Sequence, residues 1–297
     1  TLVAGIKMQL KKNKVTVVEG CGQIVGRSSE GYDVKVGDSV YTGKRLLIAT
    51  GSEPVIPPIE GAQEGLKNGN VVTNREILDI KKIPGSLAIV GGGVIGLEMA
   101  AYYNSAGSKV TVIEMLDHIA GNTDRQISDI LLRNYKKKGI EFKLGAKVTS
   151  IKNGKVAYES DGKNEEIAAD IVLMSVGRRP VIKGVGLESI GVEIERGAIK
   201  VDERGKTNVP EVYAAGDVVG NYMLAHAAYR EAEVCVNNMI GKKDVMRYNA
   251  IPSVIYTQPE VACVGETEET ARAKGIDFDV VNIPMQYSGR YVAENER

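Results

Sequence analysis

The sequence predicts an α/β protein built from more than one unit. Three observations carry that reading. The run "SLAIVGGGVIGLEMAAYYNSAGSKVTVIE", Ser86 to Glu114, reads as strand, glycine-rich turn, helix, glycine and strand. The runs "KRLLIATG" and "ADIVLMSVG" are continuously apolar up to a glycine, as in strands buried on both faces. The chain has 297 residues, and a domain typically has ~100–200.

The bulk composition excludes several classes. Hydrophobic residues make up 43% and charged residues 26%, ordinary for a soluble globular protein. Lys plus Arg and Asp plus Glu both total 38, so no basic excess points to a nucleic-acid partner. No apolar run approaches the ~18 residues that would span a bilayer, and no membrane partner is expected. Cys21, Cys235 and Cys263 are far apart and form no CxxC pair, metal spacing or disulfide framework. They read as small buried hydrophobes in a reducing compartment, here the cytoplasm.

The elements follow in order. "TLVAGIKMQLKKNKV" reads as an amphipathic helix with Leu2, Ile6 and Leu10 on one face, without an initiator Met or signal peptide. Residues 14–49 alternate β-rich runs with glycine turns ("VTVVEGCGQIV", "YDVKVG", "DSVYTGKRLLIATG"), as in a small antiparallel layer. "SEPVIPPIEGAQEG" is Pro- and Gly-rich and reads as a linker. After the Ser86–Glu114 unit, a helix is expected over 123–138, its last turn the solvated run Lys136-Lys137-Lys138 that suits the helix dipole. Hairpin material follows over 147–159, then the strand ending at Gly177. "AIKVDERGKTNVPEVYAAGDVVG" returns to β character, and "LAHAAYREAEVCVNNMIG" is a helix. From Asn249 the pattern is strand, Pro-broken turn, strand and helix. The chain stops at "GRYVAENER" with no closing element, so both ends read as cut; Arg297 suits a trypsin-like site.

The chemistry concentrates at Gly91-x-Gly93-x-x-Gly96. A lone GxGxxG is a weak signal, but this one leaves a strand and opens a helix. Gly91 permits the tight turn, Gly93 lets a pyrophosphate approach the backbone, and Gly96 lets helix and strand pack closely. The pyrophosphate would sit on the positive end of the helix beginning near Ile95. An acid is expected about 20 residues on, at the end of the second strand; "KVTVIE" ends in Glu114. A carboxylate there accepts from ribose hydroxyls and repels a 2′-phosphate. "MLDHIAG" beyond it supplies no Lys or Arg, so NAD is favoured over NADP. Glu98, read as lying in the first turn of the helix, has two readings: stabilisation of the helix dipole, or reach toward the nicotinamide.

"GGGVIGLE", "SVGRRP", "TNVPEVYAAGD", "MLAHAA" and "IPSVIYTQPEVACVGETE", in this order and spacing, resemble the dihydrolipoamide dehydrogenase family of the flavin-dependent pyridine nucleotide–disulfide oxidoreductases. The resemblance covers nearly the whole chain, and the last two motifs are the most specific. It implies an FAD domain split over residues 1–72 and 201–248. A Rossmann-like NAD domain is inserted at 73–200, and an α+β interface domain starts at 249–297. It implies NAD contacts at Gly91, Gly92, Gly93, Val94, Ile95, Gly96, Leu97, Glu98 and Glu114, at Val148 beside the adenine, and at Gly177. It implies FAD contacts at Gly22, Thr50, Gly51, Ser52, Asp217, Met223, Leu224, Ala225 and His226.

The resemblance also implies a reaction: electrons pass from dihydrolipoamide through a disulfide and FAD to NAD. The implied partners are a second copy of the chain and a lipoyl-bearing acyltransferase component of a 2-oxoacid dehydrogenase or glycine cleavage complex. The family's first FAD fingerprint, its CxxxxC pair and its His–Glu base do not occur in this chain, and neither His118 nor His226 matches that base. No catalytic residue is assigned. The expectation is a fragment that binds NAD, retains FAD weakly or not at all, and does not oxidise dihydrolipoamide. A non-catalytic NAD-binding module, an NADH oxidase, a mercuric reductase-like enzyme and a subunit-interaction protein remain as alternatives.

Asp217 ends the apolar run Val212–Ala215 after Gly216. Two roles fit a carboxylate there: a helix N-cap, or, as the resemblance implies, an acceptor for a ribityl hydroxyl of the flavin, with Gly216 clearing room.

Overall fold

A computed structural model describes residues 2–294; the expectation at Arg297 lies outside them. The chain divides into two compact units, one from Thr1–Pro58 and Met174–Tyr248, the other from Ile59–Leu173 and Asn249–Arg297.

The second unit is built on a five-stranded sheet. Its strand order is Val71–Val72, Ile171–Met174, Ser86–Val90, Lys109–Ile113, Glu141–Lys143. Ser86–Val90 pairs in parallel with Lys109–Ile113, Val90 opposite Ile113, so both strands end level at the glycine turn. The apolar runs have no polar face because helices cover them. Leu87, Ile89, Val110, Val112 and Leu173 join Leu97 and Ala100 of the helix Val94–Ser105 and Leu131 and Tyr135 of Arg125–Lys137 in one core. Asp124 caps the latter helix, accepting from Gln126 N–H at 3.1 Å. The expected hairpin is a three-stranded meander, Ala146–Lys152, Lys155–Ser160 and Lys163–Ala168.

In the first unit the strand Val212–Ala214 lies parallel to Leu46–Ile48, Ala214 opposite Ile48. The antiparallel layer Gly22–Arg27, Tyr32–Val36, Ser39–Gly43 is present. The helix Ala225–Met239 buries Ala227, Glu231, Val234 and Cys235.

Four expectations change. Val15–Val18 forms no strand: among the described residues nothing pairs with it, and β-branched residues do not order a strand without a neighbour. The amphipathic helix forms at Leu2–Lys12 but buries none of its residues. The Pro- and Gly-rich linker contains the strand Ser52–Pro54, and the helix Ala62–Asn68 starts within it. Gly61 and Gly69 bracket that helix in left-handed conformations, φ 81° and 79°. A Cβ on Gly61 would stand 1.9 Å from the Ile151 carbonyl oxygen, so the glycine is a packing requirement. Of the cysteines only Cys235 is buried; Cys21 and Cys263 are exposed.

Asp244 fastens the C-terminal half of the Ala225–Met239 helix. Its carboxylate takes Arg230 at 2.6 and 2.9 Å and Asn237 Nδ2 at 2.7 Å. The Arg230 hydrogen bonds hold its carboxyl well below the aspartate range, at about 2. Because the folded pKa is depressed, this stabilisation is present above the ordinary value near 4 and is lost as pH falls through about 2. Asp244→Asn is expected to unfold at lower urea than the parent at pH 7, with the gap closing between about pH 4 and pH 2. A gap that is constant over that range contradicts the pairing.

Candidate functional site

The sheet geometry creates the first candidate site. Gly91 leaves the strand at φ 105°, and its N–H donates to the Ile113 carbonyl at 2.9 Å. Gly93 is the N-cap of the helix Val94–Ser105 and offers no side-chain cap to its first N–H groups. A Cβ built on Gly93 meets no atom within 4 Å, so the space over the helix start is open. Gly96 and Leu97 are buried beneath it, Val94 is exposed and Ile95 half-buried. Uncapped N–H groups facing open space at a helix N-terminus form an anion-binding arrangement.

Glu114 stands at the side of this turn. Its Oε2 accepts from Gly92 N–H at 2.6 Å and its Oε1 from Leu116 N–H at 2.8 Å. A Cβ on Gly92 would be 3.3 Å from the Glu114 side chain, so the residue beside the carboxylate has to be small. The Glu114 and Leu116 carbonyls accept from Ala146 and Gly145 N–H. The structure thereby brings the strand of Val148, whose side chain is buried, alongside Glu114. His118 Nδ1 lies 2.8 Å from Asp117 Oδ1, and its Nε2 3.3 Å from the Gly121 carbonyl, a local turn contact.

Glu98 is the fifth residue of its helix and lies outside the first turn. Its Oε1 accepts from Tyr256 N–H at 2.9 Å. The dipole reading weakens accordingly, since that effect fades beyond the first turn.

The first unit holds a second cluster. Asp217 lies in the single turn Gly216–Val219, half-buried, and its Oδ2 accepts from Ser52 Oγ. Arg178 donates through Nε to Ser52 Oγ at 2.7 Å and through a terminal nitrogen to the Ser52 carbonyl at 2.8 Å. Asp217 therefore is not the N-cap of the next helix, which is Leu224 without a side-chain cap. Gly51, at φ 73°, has open space over it, and Thr50 Oγ1 donates to the Val181 carbonyl at 2.7 Å. Gly216 adopts φ 79°, and a Cβ there would be 3.3 Å from Ala228 Cβ. The tight approach at Gly216 is thus to the helix Ala225–Met239. Met223 and Leu224 precede that helix, and Ala225 and His226 open it. Gly22 begins the antiparallel layer opposite Val36, and no described hydrogen bond joins it to Asp217. Gly177, exposed at φ 115°, belongs to this unit, where its carbonyl accepts from Val55 N–H at 3.0 Å.

Sequence reasoning passed over Arg178 and Glu231. Glu231 is 4% exposed. It accepts from Gly216 N–H at 2.6 Å and from Tyr248 OH at 2.7 Å. Burial pushes its carboxyl up, while these two hydrogen bonds pull it back. Tyr248 is raised by the same burial, and its ring stacks on Tyr222 with centroids 5.7 Å apart. An acid on the apolar face of a helix, in register with Ala227, Val234 and Cys235, was the available signal.

Residues 1–232 match the pyridine nucleotide-disulphide oxidoreductase family, and residues 251–297 match its dimerisation domain. The chain belongs to the pyridine nucleotide-disulphide oxidoreductases. The mitochondrial dihydrolipoyl dehydrogenase of Macaca fascicularis is 40% identical over 97% of this chain, and that of Homo sapiens 39%. The chain spans 58% of the length of each. Among solved structures, the HOCl-induced flavoprotein disulfide reductase RclA of Escherichia coli matches at a TM-score of 0.84 and 27% identity, over 98% of this chain and 68% of that one. LpdA of Mycobacterium tuberculosis matches at 0.88 and 27%, over 99% and 65%. The α/β architecture is that of the family's FAD/NAD-binding fold, followed by the start of a dimerisation domain. No described helix is long and apolar enough to cross a membrane.

The strand Val212–Ala214, which leads into the Asp217 turn, packs against Cys235. Its Sγ lies 3.6 Å from the Ala214 carbonyl, and burial pushes the thiol up to about 12. A thiol with a raised pKa stays protonated and unreactive. Alkylation at pH 8 is expected to label Cys21 and Cys263 promptly and Cys235 only after unfolding. Equal labelling of all three in the folded protein contradicts this packing.

Proposed function

We propose that the chain is the NAD-binding part, and a portion of the FAD-binding part, of a dihydrolipoyl dehydrogenase. One observation carries the NAD assignment: Glu114 is fixed by Gly92 N–H at 2.6 Å beside an uncapped helix N-terminus with open space over Gly93. On this reading the pyrophosphate takes the amides from Gly93 to Ile95. Gly91, Gly92, Gly96 and Leu97 shape the turn, and Val94 and Glu98 lie on the approach. Each Glu114 oxygen keeps a lone pair after its backbone bond, so the carboxylate can also accept from ribose hydroxyls. Val148 lines the adenine side. The segment Met115–Gly121 after Glu114 supplies no Lys or Arg for a 2′-phosphate, so NAD is preferred to NADP.

The second cluster suits the sugar-like chain of a flavin. Ser52, Asp217 and Arg178 form a polar group in which Asp217 Oδ2 is held by Ser52 Oγ, itself bonded by Arg178. Gly22, Thr50, Gly51 and the helix start from Met223 to His226 complete the FAD contacts. Residues 1–72 and 201–248 are proposed as FAD domain, 73–200 as NAD domain and 249–297 as interface domain. Bound NAD supplies a hydride acceptor and FAD an electron relay; the chain's residues bind and orient them.

Dithiol oxidation is not assigned to these 297 residues, because their three cysteines form no pair. The partners proposed for the whole enzyme are a second copy and the lipoyl-bearing component of a 2-oxoacid dehydrogenase or glycine cleavage complex. The relatives are named as mitochondrial; a reducing compartment such as the cytoplasm suits the unpaired cysteines.

Calorimetric titration tests the reading. The chain is expected to bind NAD at least about tenfold more tightly than NADP. Glu114→Ala is expected to weaken NAD by about tenfold, the loss of one or two hydrogen bonds to a charged acceptor, and to narrow that preference. No dihydrolipoamide-dependent NADH formation is expected from the chain. Equal affinity for both nucleotides, or indifference to Glu114→Ala, overturns the assignment.

A further inference from the structure

Residues 249–275 are fastened to both ends of the helix Arg125–Lys137. Near the helix C-terminus the hairpin Ser253–Ile255 and Val261–Cys263 is seated on it. Ile255 and Val261 enter the core that holds Leu131 and Tyr135. Lys138 Nζ donates to the Gln258 carbonyl, and the Tyr135 hydroxyl hydrogen-bonds Thr257. Eleven residues are not needed to reach the other end: the short helix Glu268–Ala273 meets the N-terminus of Arg125–Lys137 directly.

There one carboxylate serves two helices. Asp124 Oδ1 accepts from Gln126 N–H at 3.1 Å and caps its own helix. Asp124 Oδ2 accepts from Glu268 N–H at 3.3 Å, the first donor of the short helix. Glu269 returns the contact: its carboxylate accepts from Arg125 N–H, the first donor of the long helix. The first N–H of each helix is thus taken by a carboxylate from the start of the other. Helix Glu268–Ala273 has six residues, too few to hold alone in water. Its first-turn donors are all satisfied only in the docked state. Glu268 N–H has Asp124, and Glu269 N–H has its own carboxylate. Thr270 N–H has Thr267 Oγ1 at 3.2 Å, and Ala271 N–H the Thr267 carbonyl at 2.9 Å. Arg125 pairs with Asp117 and Asp129, Arg272 with Glu268 and Lys274 with Glu266. Among the described residues no ion pair joins the two helices, so the contact is carboxylate to amide.

We propose that this exchange of caps is a two-way clasp, and that residues 249–275 open and close on the helix Arg125–Lys137 as one unit, separately from the sheet. The match to the dimerisation domain begins in this segment, so the clasp governs how firmly the start of that domain is held. The coupling is reciprocal: what Asp124 contributes to the short helix, Glu269 returns to the long one. The proposal does not depend on what binds at the glycine turn.

Asp124→Asn separates the two roles of Asp124. Asparagine caps a helix about as well as aspartate. Its second side-chain atom is a donor, which would face the Glu268 N–H. Amide exchange on the full chain, read by NMR, is expected to rise about fivefold to tenfold at Ala271, Lys274 and Ile276 in Asp124→Asn. Ser128, whose N–H is bonded to the Asp124 carbonyl, and the sheet residues Ile89 and Val112 should not change. Glu269→Ala is expected to speed exchange at Arg125 and at the same three amides. The double substitution should cost no more than the larger single one, within about a factor of two. Unchanged exchange at Ala271, Lys274 and Ile276 in Asp124→Asn overturns the proposal and leaves Asp124 a cap of its own helix alone. Equal rises at Ile89 and Val112 overturn the separate opening. Fully additive effects of the two substitutions overturn the exchange of caps.

Discussion

The bond from Gly92 N–H to the Glu114 carboxylate joins the ends of two parallel strands at the point where the chain turns into a helix. Much of the second unit's arrangement depends on it. Ser86–Val90 and Lys109–Ile113 end level, so the first turn residue and the last strand residue meet without a bridging loop. The carboxylate takes a backbone donor that the sheet no longer satisfies, and a donor left unmade there would be costly. It also forces a small residue at Gly92, because a Cβ would meet Glu114 at 3.3 Å. Glycines in the turn, an acid at the strand end and an open helix N-terminus are thus one constraint expressed three times.

The first unit solves a related problem by different means. Beyond the strand Val212–Ala214 the backbone turns left-handed at Gly216, and a half-buried acid, Asp217, follows in the turn. Two side chains stabilise that turn from opposite directions. Ser52, held by Arg178, reaches the Asp217 carboxylate, and Glu231 takes the Gly216 amide. Glu231 tolerates burial because both of its oxygens have donors, Gly216 N–H and Tyr248 OH. The Asp217 carboxylate is thereby presented in a fixed orientation, a prerequisite for any directional recognition of a hydroxyl.

Much of this was legible in the sequence where local pattern and tertiary role coincide. The strand, glycine turn and helix of Ser86–Glu114 announce themselves by a change of period, and the fold places them there. What sequence could not supply were pairings between distant residues. Glu98 was read into the first turn of its helix, and its bond to Tyr256 N–H, a backbone group 158 positions away, could not be seen. For Asp217 a cap stood beside the flavin reading, because Ser52, its partner, lies 165 positions before it. The helix Ala62–Asn68 was hidden by its bracketing glycines, which read as loop punctuation although both serve as its ends. Val15–Val18 carried a strand's composition without a partner strand, and strand formation depends on the partner.

The most direct measurement is a backbone amide NMR titration of the chain with NAD. The account predicts saturable shifts at Gly92 and Leu116, the two amides bound to Glu114, together with Gly93, Val94 and Ile95 at the helix start. Those five resonances should titrate with one common dissociation constant. Saturable shifts confined to other regions, with Gly92, Leu116 and the helix start unmoved, would contradict the dinucleotide reading of this turn.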